Sequence, residues 1–200
     1  MTDMASSTQQ DELVARIASG DRDAFARLYR DCRPDVYRFA VHMSGAAGLA
    51  EDIVQEVFLA VIESAARYQP GRSGVKPWLL GIASNHVRRW RHRRVFLPLP
   101  EEGSREGRRM SIDADPANDL ARRQDQAALS RAIVDLPMRY RAAVVMCDIE
   151  ELSYEDAAAA LGCAVGTVRS RLHRGRAILR NALCGLQPGG VCVSSSAKQS

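Results

Sequence analysis

The chain has 200 residues, of which 46% are hydrophobic and 26% charged, the usage of an ordinary folded protein. That composition excludes collagen, a coiled-coil rod and disorder throughout, and the length allows one large domain or two small ones while excluding most multidomain enzymes. No apolar run approaches the roughly 18 residues that cross a bilayer, since the longest uncharged stretches, Phe39–Ala50 and Ala157–Val168, both contain glycine.

The N-terminus, MTDMASSTQQDE, has neither a basic n-region nor an apolar h-region, so a cytoplasmic protein is expected. Net charge is +4, unevenly spread. No acid follows Asp156, whereas Arg169, Arg171, Arg174, Arg176, Arg180 and Lys198 do. A second acid-free basic cluster holds Arg88, Arg89, Arg91, Arg93 and Arg94 with His86 and His92. Two basic stripes on an otherwise balanced chain predict two contacts with a polyanion.

In chain order, Asp11–Ala18 and Asp23–Arg30 read as helices, with Gly20 between them and Leu13, Ile17, Phe25, Leu28 and Tyr29 at helical spacing. Pro34 then reads as lying near the first turn of a further helix through Val36–Met43, stopped at Ser44-Gly45. The clearest periodicity spans Glu51–Tyr68, where Ile53, Val54, Val57, Phe58, Val61, Ile62 and Ala65 make one broad apolar face. Gln69-Pro70-Gly71 ends it, a loop over Arg72–Lys76 follows, and Pro77-Trp78 opens a helix to about Arg94.

Residues 96–118, with three prolines, several glycines and few apolar anchors, read as a flexible linker. Helical pattern resumes over Leu120–Asp135, with a Pro137 start and a helix over Tyr140–Ile149. Ser153, with Asp156 three residues on, is a capping-box signature for an alanine-rich helix that stops at Gly162. Thr167 opens the last helix, to about Leu183, and the polar tail 186–200 is expected to be disordered. No strand pattern occurs. The fold class is all-α: two small helical domains, 11–95 and 119–185, the second a helix-turn-helix.

The five cysteines, Cys32, Cys147, Cys163, Cys184 and Cys192, form no C-x-x-C pair, and small buried thiols are expected rather than a disulfide framework. Cys147, Cys163 and His173 lack zinc-ligand spacing, so no metal is expected. The four histidines accompany no nucleophile motif, which argues against an enzyme.

Ser153–Arg180 has the arithmetic of a helix-turn-helix. The small Ala157–Ala160 run permits close approach to a neighbour, and Gly162 supplies a left-handed end. In the second helix Val168, Leu172, Ile178 and Leu179 form the expected buried stripe. Arg169, Ser170, His173, Arg174 and Arg176 fall opposite, where a recognition helix meets DNA. Arg169 and Arg174 suit bidentate guanine contacts, Arg176 a phosphate, and the N–H groups of Gly166 and Thr167 the phosphate backbone. The run LSYEDAAAALGCAVGTVRSRLHRGRAIL closely resembles the −35-reading domain of bacterial sigma factors of the extracytoplasmic-function (ECF) group.

The resemblance extends upstream. AEDIVQEVFLAV, at Ala50–Val61, is similar to the family's polymerase-binding helix, and Asp52, Gln55, Glu56 and Leu59 lie off its buried stripe. In the family that surface docks on the clamp helices of the polymerase β′ subunit. YQPGRSGVKPWLLGIASNHVRRWRHRR, at Tyr68–Arg94, resembles the promoter-melting segment. Its loop, with Arg72, Ser73, Gly74 and Lys76, could wrap an extruded base beside Trp78; Asn85 matches a position facing the −10 strand, and Arg88, Arg89 and Arg91 would track phosphates. For Trp78 and Trp90, core packing and base stacking stay equally open.

The resemblance covers about residues 11–95 and 119–185 and implies an initiation factor without catalytic chemistry or cofactor. It implies as partners core RNA polymerase (β′ clamp helices and β subunit), promoter DNA and an anti-sigma factor. The rival reading is a conventional helix-turn-helix regulator whose amino-terminal helices sense or dimerise.

Overall fold

A computed structural model describes residues 2–71, 73–96 and 116–184, and no strand occurs among them. Four helices make the first half: α1 (Thr2–Ala18), α2 (Arg22–Ser44), α3 (Ala47–Ser64, continued by a 3₁₀ turn over Ala65–Arg67) and α4 (Val75–Phe96). The second half holds α5 (Pro116–Asp135), α6 (Met138–Val144, running into a π-helical turn over Val145–Ile149), α7 (Tyr154–Leu161) and α8 (Val165–Cys184). The all-helical expectation is met. Of the expected linker, residues 97–115 lie outside the described residues, as does the tail from residue 185.

Helix α2 starts at an aspartate cap. Asp21 accepts from the N–H groups of Asp23 and Ala24 at 2.9 and 3.0 Å. Those bonds, chiefly the one from Ala24, and then the Arg16 guanidinium hold its carboxyl below the usual value. Pro34 does not begin a new helix; it lies inside α2, which runs unbroken for 23 residues. Its missing N–H falls on the exposed side, where water can serve the freed carbonyl. The opposite side buries Leu28, Cys32, Val36, Phe39, Ala40 and Met43 in one continuous stripe, and that packing overrides the local proline penalty. Gly45, at φ 79°, ends the helix in the left-handed region, and its N–H donates to the Val41 carbonyl at 2.8 Å.

Helix α3 buries Ile53, Val54, Val57, Phe58 and Val61 as its pattern predicts. Ile62 departs from that pattern and is 54% exposed. The aromatic set Phe25, Tyr29 and Phe58, with Tyr29 and Phe58 centroids 4.7 Å apart, packs α2 against α3. Cys32 is buried in the same core, as expected of a small buried thiol, and burial, then the nearby Asp35 and Asp31, pushes its thiol pKa up to about 12.

The two halves pack on each other. One continuous buried cluster joins residues of α1–α4 to Ile133, Ala142, Val145, Met146, Ala157, Ala158 and Val168, while Leu136, Ala143, Val144 and Leu172 form a smaller core inside the second half. Helices α4 and α7 meet at backbone distance: a Cβ on Gly81 would lie 2.9 Å from the Ala160 carbonyl oxygen. The alanine run of α7 therefore gives close approach to α4, in the other half of the chain.

Candidate nucleic-acid interface

The helix-turn-helix begins at Ser153, whose hydroxyl accepts from the Asp156 N–H at 3.0 Å and donates to Asp156 Oδ2 at 2.7 Å. A capping-box glutamate would reach the backbone; the shorter aspartate closes on the hydroxyl instead. Gly162, at φ 62°, ends α7, with Cys163 N–H bonded to the Ala158 carbonyl at 3.0 Å.

Helix α8 starts at Val165, two residues earlier than Thr167. The Thr167 N–H donates to the Ala164 carbonyl at 2.9 Å, so it is already engaged, which leaves Gly166 as the candidate phosphate donor of that pair.

Val168, Leu172 and Gly175 are buried on α8. A Cβ on Gly175 would stand 2.7 Å from Val144 Cγ2, so α8 crosses α6 at a distance only glycine permits. Ile178, expected in the buried stripe, is 40% exposed. The crossing sets the inward line at 168, 172, 175 and 179, and position 178 falls beside it.

The opposite face exposes Arg169, Ser170, His173, Arg174 and Arg176. They are not equivalent. Ser170 Oγ donates to the Thr167 carbonyl at 3.0 Å, and the Arg169 guanidinium lies 5.8 Å from the Tyr154 ring centre. Arg174 and then Arg139 lower the Tyr140 phenol pKa, and the Arg139 guanidinium stands 4.8 Å from the Tyr140 ring centre. Arg139 is a cation beside this exposed arginine face that the sequence pattern did not mark. Arg176 is paired through Nε to Asp148 Oδ2 at 3.1 Å and through Nη2 to Oδ1, which raises its pKa. It presents a guanidinium fork already occupied by a carboxylate.

On α4, Asn85, Arg88, Arg89 and Arg91 are exposed, with Arg88 Nη2 donating to Asn85 Oδ1 at 3.0 Å. Lys76 lies in the first turn of α4 rather than in a loop, about 14 Å along the axis from Asn85. Its Nζ is 3.1 Å from Glu150 Oε2 and 3.6 Å from Asp35 Oδ2. Trp78 packs on the core with its ring centre 4.8 Å from that of Tyr68. The Tyr68 hydroxyl donates to Asp11 Oδ1 at 2.6 Å and lies 3.1 Å from the Ser73 carbonyl oxygen; burial, then that bond to Asp11, raises its pKa. Gly74 is half-buried, and Arg72 lies outside the described residues. Trp90 is half-buried on the same helix.

On α3, Asp52, Gln55, Glu56 and Leu59 are all exposed, Leu59 by 57%. Ile62, one turn beyond Leu59, extends this surface into an acidic face with two bare aliphatic side chains. The 55-59-62 spacing carried that signal in the sequence, masked by the apolar neighbours of Ile62. Glu56 Oε2 stands 3.8 Å from His86 Nδ1 of α4.

Two family models match the chain: Sigma-70 region 2 over residues 28–95 and Sigma-70 region 4 over residues 126–179. The chain is 42% identical over 176 residues to the ECF RNA polymerase sigma factor SigE of Mycolicibacterium smegmatis, across 83% of this chain and 65% of that longer protein. It is 34% identical over 188 residues to the ECF RNA polymerase sigma factor SigC of Mycobacterium tuberculosis, across 90% and 96%. Among solved structures, the sigma factor RpoE of Bartonella quintana, crystallised with the anti-sigma factor NepR, superposes with a TM-score of 0.62 at 29% identity, covering 80% of this chain and 96% of that one.

Proposed function

The chain belongs to the sigma-70 family, in its ECF group, and from that membership we propose how its own surfaces divide the work of starting transcription. It is an initiation factor and catalyses no reaction itself. Domain 11–95 binds core RNA polymerase through Asp52, Gln55, Glu56 and Leu59 on α3. The same domain holds the melted −10 strand through the Arg72–Lys76 segment, Trp78, Asn85 and the arginines of α4. Domain 119–185 reads the −35 duplex through Arg169, Ser170, His173 and Arg174, with Gly166 and Arg176 on phosphates.

Residues 97–115 between them can reach roughly 60 Å when fully extended, so the two contacts reinforce each other through effective concentration. The factor acts in the cytoplasm, where polymerase and DNA meet; no described helix is long and apolar enough to cross a membrane. An anti-sigma factor completes the partner set, on the precedent of the RpoE–NepR pair.

The observation that carries this reading is the coexistence on one chain of an exposed arginine face on α8 and an exposed acidic, aliphatic-tipped face on α3. Purified protein plus core polymerase on a promoter library should start transcripts at discrete sites preceded by two short elements. No start site, with tight binding of the protein alone to a palindromic duplex, identifies a conventional regulator instead.

A further inference from the structure

Glu150 closes the turn between α6 and α7, and its side chain has no exposed surface. A carboxylate so placed needs partners, and both come from the other half of the chain. Arg38 of α2 grips it as a fork, Nε to Oε1 at 2.8 Å and Nη2 to Oε2 at 2.6 Å, and Lys76 Nζ stands 3.1 Å from Oε2. Asp35 touches the same two cations, through Arg38 Nη2 at 2.8 Å and Lys76 Nζ at 3.6 Å. With Glu150 seated, the four formal charges cancel. Lifting the second half away exposes one uncompensated positive charge and an arginine fork whose geometry fits two anionic oxygens, carboxylate or phosphodiester alike.

The seam beside this cluster opens to solvent. A solvent-open groove of about 550 Å³ runs between the halves there, lined by Cys32, Asp35, Lys76, Glu150, Ser153 and Asp156 among others. Closing contacts resume at Gly81 and Ala160. Around this groove the apolar hold between the halves comes from the shared buried cluster of α1–α4 with Val145, Met146, Ala157, Ala158 and Val168, and the charged cluster adds the directional hold.

We propose that Arg38 and Lys76 form a binding site for a backbone phosphate of the opened DNA strand, and that Glu150 is its intramolecular occupant, so that latching of the two halves and single-strand binding exclude each other. Arg38 thereby joins the strand-binding surface, although it belongs to α2 and not to α4. The proposal rests on the −10 reading given to Lys76 above. In the latched state the arginine face of α8 stays exposed, so the −35 contact can form first, with strand capture following release of Glu150.

The test uses the full chain and a fluorescein-labelled oligothymidine. E150Q should raise affinity for the oligonucleotide roughly tenfold by emptying the latched population, and should enlarge the radius of gyration in small-angle scattering. Adding R38A should abolish the gain in affinity while keeping the expansion. Because E150Q alters a buried site, G81A provides a second opening that touches no charge: its Cβ would crowd the Ala160 carbonyl, part the halves and give the same gain with Glu150 intact. A folded E150Q or G81A protein that expands without any gain in affinity overturns the phosphate site. An E150Q protein that neither expands nor gains affinity overturns the latch. Initiation with core polymerase, measured in parallel, separates these failures from failure of the sigma-factor reading, since the α3 face takes no part in the latch.

Discussion

Arg141 of α6 donates through Nη1 to the backbone carbonyl of Met43, 98 residues earlier, and through Nη2 to the Leu136 carbonyl at 3.0 Å. Met43 sits in the last turn of α2, so a cation from one half of the chain caps a helix end in the other. Burial, followed by repulsion from Arg91, lowers the guanidinium pKa to about 10, still charged at neutral pH. Its Nε has no hydrogen-bond partner. Replacing Arg141 with Met removes the buried charge but strips both carbonyls of this donor. We expect a loss of about 1–3 kcal/mol in urea unfolding, and an unchanged midpoint would refute the capping role.

Two glycines of the helix-turn-helix should respond differently to alanine. At Gly162 the space is open and only the positive φ resists, which costs about 1 kcal/mol. At Gly175 the new methyl would meet Val144 Cγ2, a clash expected to cost about 1–3 kcal/mol and to tilt α8. Thermal melts should show Val144→Ala rescuing Gly175→Ala and leaving Gly162→Ala unrescued. Equal behaviour in the two backgrounds would remove steric contact as the cause.

On α3, Asp52→Arg and Glu56→Arg should weaken association with core polymerase without changing the circular dichroism spectrum. Ile62→Asp should do the same, because that side chain is over half exposed and contributes little to the core. Pull-downs with core enzyme measure all three. Full retention by Ile62→Asp would confine the docking surface to the polar residues and Leu59.

On α8, Arg169→Ala should reduce discrimination at one −35 base pair by about 1–3 kcal/mol. Arg176→Ala should weaken binding evenly across sequences. Asp148→Asn frees the Arg176 fork and should strengthen duplex binding, most at low salt. Fluorescence anisotropy against matched and mutated elements distinguishes these patterns, and sequence-dependent losses at Arg176 would reassign it to base readout.

His42, on α2, is partly buried near Glu150 and Arg38. Burial lowers its pKa from 6.5, opposed by Glu150 and reinforced by Arg38. The fold therefore disfavours the charged imidazole, and the unfolded chain binds the proton more readily. Stability from this source is complete above about pH 6.5 and is lost as the pH falls below it. Urea midpoints should decline on acidification from about pH 8 to about pH 5.5, with a shallower decline in His42→Gln. Parallel curves would exclude His42 as the group responsible.

What the sequence disclosed was local. The cap at Ser153, the stop at Gly162 and the exposed face of Asp52, Gln55, Glu56 and Leu59 all follow from spacings within a few turns. Pro34 misled because a proline penalty is also local, whereas the Leu28–Met43 stripe that overrides it is fixed by packing against α3 and α4. Ile62 misled for the opposite reason: its apolar type fitted the stripe, and only the position of neighbouring helices leaves it bare. Glu150 and Arg38 are 112 residues apart, and neither stands out from its many charged neighbours until the fold joins them.

The final turns of α2 serve both halves of the molecule: Arg38 grips Glu150, the Met43 carbonyl receives Arg141, and Gly45 leaves room for Val134 at a separation of 2.8 Å from a would-be Cβ. Anyone grafting a different −35 reader onto this chain would thus inherit a mismatched seat. Chimaeras joined anywhere in 97–115 should work best when Arg38 and Gly45 are matched to the incoming reader, since the Met43 carbonyl is backbone and any residue there supplies it.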